Sequence, residues 1–104
     1  ERVRMGALAG LQQREAVLER IRLLARDNQI LCGGDLHIDL LDADAGHGAF
    51  LPPVLLLAED AAASSAHDIE AFGPVCTLMP YRDEEEAIEL AALGRGSLVG
   101  SIVT

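Results

Sequence analysis

The apolar patterning of the chain predicts an α/β fold, a layered sheet with helices packed on it in the order α-β-β-β-α-β. Three observations carry this. Two stretches repeat their apolar residues at helical spacing. Four short runs of Val, Ile, Leu and Cys are bounded by Gly, Pro, Asn and Asp. Those runs are mostly continuous instead of strictly alternating, the pattern of strands covered on both faces. With 104 residues, half of them apolar, the chain makes one domain at most with a modest core. Only three residues are aromatic, so packing rests on Leu, Ile, Val and Ala.

Taken in order, Leu11 to Arg26 sets Val17, Leu18, Ile21, Leu24 and Ala25 on one face, with arginines and glutamates elsewhere on the wheel. Asp27-Asn28 stops this helix. Gln29 to Cys32 reads as a short strand ending at Gly33-Gly34, where the backbone turns freely. The acidic stretch Asp35 to Gly48 reads as a loop or irregular hairpin. Pro52-Pro53 opens the strand Val54 to Leu57, since a proline is tolerated at a first strand position. Ala61 to Ala66 is a small-residue link with room for one helical turn. Val75 to Tyr81 is the next strand. Asp83, three residues before Glu86, has the form of a capping box with Asp in place of Ser or Thr. The helix it opens is expected to bury Ala87, Leu90 and Ala91, flanked by Ile88, and to end near Gly94-Arg95-Gly96. Ser97 to Val103 alternates as a closing strand.

Composition excludes several classes of partner. Seventeen acidic residues face eight arginines, for a net charge of -9, which argues against nucleic-acid or anionic-membrane binding. No window approaches the roughly 18 apolar residues of a membrane span. The longest apolar run, Phe50 to Ala58, is broken by two prolines. No apolar h-region follows the first arginines, so no signal peptide is read. The expectation is a cytoplasmic protein whose two cysteines, Cys32 and Cys76, are reduced and packed in the interior. Glu1 is not an initiator methionine, and Thr104 closes an apolar pattern without a polar tail. Both ends fit a piece of a longer protein or a trimmed product.

Among possible chemical sites, His37, His47 and His67 lie near Asp35, Asp39, Asp42, Asp44 and Asp68, but at none of the spacings of a compact metal site. Solvation explains them better. Neither cysteine adjoins the cation or helix N-terminus that would activate a thiol. Gly94-Arg95-Gly96 follows a helix, where carbonyls point outward, so it reads as a C-cap and not a phosphate loop. The stretch His67-Asp68-Ile69-Glu70-Ala71-Phe72-Gly73-Pro74-Val75 is the most suggestive. A carboxylate two residues before a ring, at the entry to a buried strand, presents an acceptor beside a flat apolar surface. Glu70 can take two vicinal hydroxyls, as on a ribose, and Phe72 can pack on a heterocycle or sugar face. The plainer alternative is a loop whose Phe72 fills the core and whose Glu70 is solvated.

Glu70-Ala71-Phe72-Gly73-Pro74-Val75 resembles the E-x-F-G-P-V motif of the NAD(P)-dependent aldehyde dehydrogenases. Cys32-Gly33-Gly34, Phe50-Leu51-Pro52-Pro53, Glu86-Ala87-Ile88 and the closing Gly96 to Thr104 fall in the family's order around it, so the similarity covers nearly the whole chain. The resemblance implies that Glu70 holds the hydroxyls of the nicotinamide ribose, that Phe72 packs beside the nicotinamide, and that Gly73-Pro74 form the turn presenting them. These are the cofactor-binding candidates. No catalytic residue is assigned, because the family's nucleophilic cysteine, its general-base glutamate and its dinucleotide-binding half all belong upstream of Glu1. Residues 1–104 then form a partial aldehyde dehydrogenase catalytic domain, inactive alone, with the remainder of the parent enzyme as partner and NADP or NAD as the parent's cofactor.

Departures from the common pattern point to a branch. Ile69 stands where a second glutamate is usual, Ala91-Ala92 where the later helix usually ends in Ala-Asn, and Gly96-Ser97 where Tyr-Gly is usual. With Thr77 to Arg82 and Gly96 to Val99, the 67–75 stretch resembles the bifunctional ring-opening aldehyde dehydrogenases of bacterial phenylacetate degradation. Those enzymes prefer NADP and oxidise a CoA-linked semialdehyde. Two readings from other classes stay open on the sequence: a free-standing small α/β ligand-binding or regulatory module, and an oligomerisation piece. Unpaired edges and bare apolar faces also predict self-association, through Ser97 to Thr104 or the strand Val54 to Leu57.

Overall fold

The computed structural model describes residues 4–96 and 99–103. Helix α1 (Leu11–Leu24) leads into strand β1 (Gln29–Cys32), a long irregular stretch, strand β2 (Val54–Leu57), a 3-10 turn (Ser65–His67), strand β3 (Val75–Leu78) and helix α2 (Glu84–Leu93). The result is an α/β arrangement with the order α-β-β-β-α. Of the closing strand expected over Ser97 to Val103, Ser97 and Leu98 lie outside the described residues. Val99 to Val103 form no ladder, and Val99, Ile102 and Val103 are almost fully exposed.

The sheet has the order β1-β2-β3. β1 runs antiparallel to β2, with a register shift between Ile30 and Cys32 that leaves Leu31 bulged. β2 and β3 are parallel, pairing Val54 with Val75 through to Leu57 with Leu78. A parallel pair needs a long crossover, and here residues 58–74 supply it without an α-helix. β2 is therefore central, its backbone committed on both sides. That removes it as the exposed pairing edge expected from its sequence. β3 stops at Leu78 and not at Tyr81: the Ala58 N–H donates to the Leu78 carbonyl at 2.9 Å, and beyond it Pro80 has no N–H to offer.

The core forms where α1 crosses one face of the sheet. Val17, Ile21 and Leu24, at i, i+4 and i+7, pack with Leu51, Val54 and Leu56. The opposite face is open, contrary to the expectation of cover on both sides. Leu55 and Leu57 are half-buried, and Cys32, Cys76 and Leu78 are exposed. The two cysteines are free, as expected, but they are not interior residues. They share this open face, one on each side of Leu55. Continuous apolar strands foretold two buried faces; only the face under α1 meets a partner among the described residues.

Three local devices fix the frame. Gly33 has φ +80°, and a Cβ there would sit 2.1 Å from the Pro53 carbonyl oxygen, so only glycine lets β1 leave the sheet at this point. Asp83 caps α2, its carboxylate accepting from the Glu86 N–H at 2.9 Å. Glu86 reaches back one residue further than in the usual box, accepting from the Arg82 N–H and Nε. α2 ends as expected, with Gly94 as C-cap and positive φ at Arg95 and Gly96. Of its expected apolar face, however, only Leu90 is buried; Ala87 is half-buried, and Ile88 and Ala91 are exposed. No helix among the described residues is long and apolar enough to cross a membrane.

Candidate functional site

The 67–75 stretch starts from a polar clasp at the C-terminus of α1. Asn28, buried, donates from Nδ2 to the Leu24 carbonyl at 2.8 Å and accepts the Ser64 hydroxyl at 2.8 Å. Asp27 accepts the Ser65 N–H and the Ser65 hydroxyl, both at 2.6 Å. The Ser65 hydroxyl, with the Ser65 N–H second, holds the Asp27 carboxyl below its ordinary range. Ser64 also caps the 3-10 turn through the Ala66 N–H. Next along the chain, His67 Nε2 lies 2.6 Å from the Ala61 carbonyl, which makes Nε2 the protonated nitrogen. The crossover is thereby pinned before it reaches Glu70.

From there α1 itself shapes the segment. Arg20 donates to the Glu70 carbonyl at 3.2 Å, and Gln13 Nε2 donates to the Phe72 carbonyl at 2.8 Å. Phe72 has φ +55°, an uncommon conformation for a bulky residue. Gly73 follows, pressed on Val17 so closely that a Cβ would lie 2.7 Å from one Val17 methyl carbon. The Val75 N–H bonds the Gly73 carbonyl at 2.7 Å around Pro74, and the Pro74 carbonyl accepts from the Val54 N–H at 2.8 Å, which starts the β2–β3 ladder. Gly73-Pro74 thus makes the turn that the motif implied.

Glu70 and Phe72 are brought together on the wall of an open concavity. Phe72 is 69 % exposed, so it does not fill the core. The Glu70 side chain is exposed and makes no hydrogen bond among the described residues. Met79 and Tyr81 line the concavity beyond β3, and Ala87, Leu90 and Arg95 line it from α2 and its C-terminal turn. Arg95 lies 3.7 Å from Asp68, which lines the same concavity, an exposed and weak pair. An uncommitted carboxylate beside a bare ring suits a ligand offering vicinal hydroxyls and a flat heterocycle, so these residues fit a nicotinamide riboside.

The histidines do not converge. His37 pairs with Asp39 at 3.4 Å in an exposed irregular stretch, and His47 with Asp44 at 2.8 Å in an exposed turn. Asp44 is held below its ordinary range first by the Gly46 N–H and then by His47. Among the described residues no three potential metal ligands come together. The sequence marks Arg95 only as part of a helix C-cap, and it gives Gln13, Arg20 and Tyr81, at or beside the concavity, no site role. Gln13, Val17 and Arg20 do share one helical stripe, but nothing local shows what that stripe faces.

The chain belongs to the aldehyde dehydrogenase family, whose model matches residues 1–104. It is 41 % identical over 103 residues to a 3,4-dehydroadipyl-CoA semialdehyde dehydrogenase of Aromatoleum evansii, covering 98 % of this chain and 20 % of that protein. It is 45 % identical over 102 residues to Protein MaoC of Klebsiella aerogenes, covering 96 % of this chain and 29 % of the other. A 5-carboxymethyl-2-hydroxymuconate semialdehyde dehydrogenase of Escherichia coli is 39 % identical over 88 residues, 84 % of this chain and 19 % of its own length. The chain therefore spans less than a third of these relatives.

Proposed function

We propose that the chain is the cofactor-orienting segment of an NAD(P)-dependent aldehyde dehydrogenase that oxidises a semialdehyde, with a CoA-linked semialdehyde of phenylacetate catabolism as substrate and NADP as cofactor, in the cytoplasm. The observation that carries this is the free Glu70 carboxylate beside the exposed Phe72 ring, in a chain 41 % identical to a protein named as a CoA-semialdehyde dehydrogenase. Glu70 would accept the hydroxyls of the nicotinamide ribose, and Phe72 would limit where the ring can lie. When bound, the cofactor supplies the hydride acceptor; these residues orient and do not react. Orientation matters to rate because reacting atoms must be held at near-attack distance. The nucleophile and the dinucleotide-binding half would come from the remainder of the parent enzyme, so the chain alone would turn over no aldehyde. Presented alone, it would also self-associate through its open sheet face.

The test is single-turnover reduction of NADP and of NAD by the parent enzyme. Glu70→Gln removes a charge-assisted hydrogen bond worth about 1.5–3 kcal/mol, and its cost should fall mainly on the hydride step. Phe72→Ala should do similar harm. Glu59→Gln, at an exposed position just past β2, should change almost nothing. A normal rate for Glu70→Gln together with a slowed Glu59→Gln would sink the site assignment.

A further inference from the structure

We infer that one stripe of α1, formed by Gln13, Val17 and Arg20, is the template that sets the conformation of Glu70 to Gly73, and that Gln13 and Arg20 are positioning residues for the nicotinamide site. The inference rests on the reading of Glu70 and Phe72 given above. These three helical positions, at i, i+4 and i+7, meet three consecutive features of the loop. Arg20 holds the Glu70 carbonyl at 3.2 Å, Gln13 the Phe72 carbonyl at 2.8 Å, and Val17 supports Gly73. Phe72 sits at φ +55°, which costs free energy for a side chain of its size unless its surroundings enforce it. The Gln13 bond acts on that same residue.

Gln13 is fixed at both ends. Its Oε1 accepts the Ala9 N–H at 2.9 Å while its Nε2 donates to Phe72. The amide orientation therefore follows from its two partners, and the two halves of the contact can be separated. Gln13→Glu keeps an acceptor for Ala9 but places an acceptor against the Phe72 carbonyl, where a donor stood. Arg20→Met keeps the apolar stem and loses the donor to Glu70; Arg20→Lys keeps a donor. Neither Gln13 nor Arg20 lines the concavity. Their influence on a ligand has to pass through the backbone of the loop.

The experiment uses the full-length enzyme and two readouts, the dissociation constants of NADPH and NADH by fluorescence and the split between kcat and KM for the aldehyde. Gln13→Glu should weaken reduced-cofactor binding and lower kcat by about fivefold to tenfold, the scale of one lost hydrogen bond. KM for the aldehyde should hold. Arg20→Met should act in the same direction, and Arg20→Lys should recover most of the loss. In a Phe72→Ala background, Gln13→Glu should add no more than about twofold, because the ring it positions is gone. The full Gln13→Glu effect persisting in that background marks a general structural role and overturns the inference, as does a Gln13→Glu enzyme with both cofactor binding and kcat unchanged while Phe72→Ala is impaired. If Glu70→Gln and Phe72→Ala are themselves silent in both readouts, it is the cofactor-site reading that fails.

Discussion

Replacing Gly73 by alanine tests the contact between the motif and α1 most directly. A Cβ at this position would lie 2.7 and 2.8 Å from the two Val17 methyl carbons and 3.3 Å from its Cβ, against the 3.5–4.0 Å at which carbon pairs are most stable. Nearly an ångström has to be found. Val17 cannot supply it: it is fully buried, and a β-branched side chain in a helix has one strongly preferred rotamer. The displacement passes instead to α1 or to the loop, an overpacking cost of about 1–3 kcal/mol. Thermal unfolding of the full-length protein should show a lowered midpoint for Gly73→Ala and none for Gly6→Ala, where an added Cβ meets nothing within 4 Å. The sharper check is a double-mutant cycle. Val17→Ala alone leaves a cavity costing about 2 kcal/mol, but in the Gly73→Ala background its missing methyls open the space the new Cβ needs. The double variant should be more stable than the two single losses imply, by about 1 kcal/mol or more. Additive losses, or a neutral Gly73→Ala, would refute the contact as the reason for glycine here.

Three further outcomes are expected. The Asp27 carboxyl titrates below its ordinary value of 3.8 because of its hydrogen bonds from Ser65. Its contribution to stability is therefore full above that pH and lost as pH falls through 3.8 toward the lower folded value. Asp27→Asn should lower the unfolding midpoint at pH 7, with the gap to the parent closing below about pH 4; a pH-independent gap would contradict the clasp's electrostatic part. Gly33→Ala should destabilise more than Gly73→Ala, since it adds a left-handed penalty of about 1–2 kcal/mol to a clash with backbone at 2.1 Å, and equal midpoints would speak against it. The 104-residue chain alone should scatter light as an associating species, which Leu78→Lys on the open face should reduce; a monomer across all concentrations counts against self-association.

The sequence was most informative where residues dictate structure locally. Val54 to Leu57 is a strand with the bounds its composition implies, because prolines precede it and the apolar run ends at Ala58. The Asp83 cap was visible in the same way. Burial was less legible, since it depends on what a face meets. Ala91 and Ile88 carry the right period for a core and are exposed, and Cys32 and Cys76 lie open on the sheet. Long-range polar contacts left no trace at all. Asp27-Asn28 reads as a helix stop and Ser64-Ser65 as a link, yet they join across 36 to 38 positions. At the candidate site the motif was legible in Glu70 and Phe72. The left-handed backbone of Phe72 was not, because helix α1 supports it and no residue near it announces the need.

The open face and the site are separable for a physical reason. The chain exposes 7984 Å², where a folded monomer of 11.0 kDa is expected to expose about 5600 Å². Its radius of gyration is 15.4 Å against about 13 Å for a compact chain of this length. The surface left accessible includes the sheet face of Cys32, Leu55, Leu57, Cys76 and Leu78. The loop from Glu70 to Pro74 does not depend on whatever covers that face. Its supports are Gln13, Val17 and Arg20 of α1 and the serines clasped by Asp27 and Asn28. α1 in turn packs on the opposite face, through Val54 and Leu56. Substitutions on the open face should therefore change association and leave cofactor geometry alone, whereas substitutions along the α1 stripe should do the reverse.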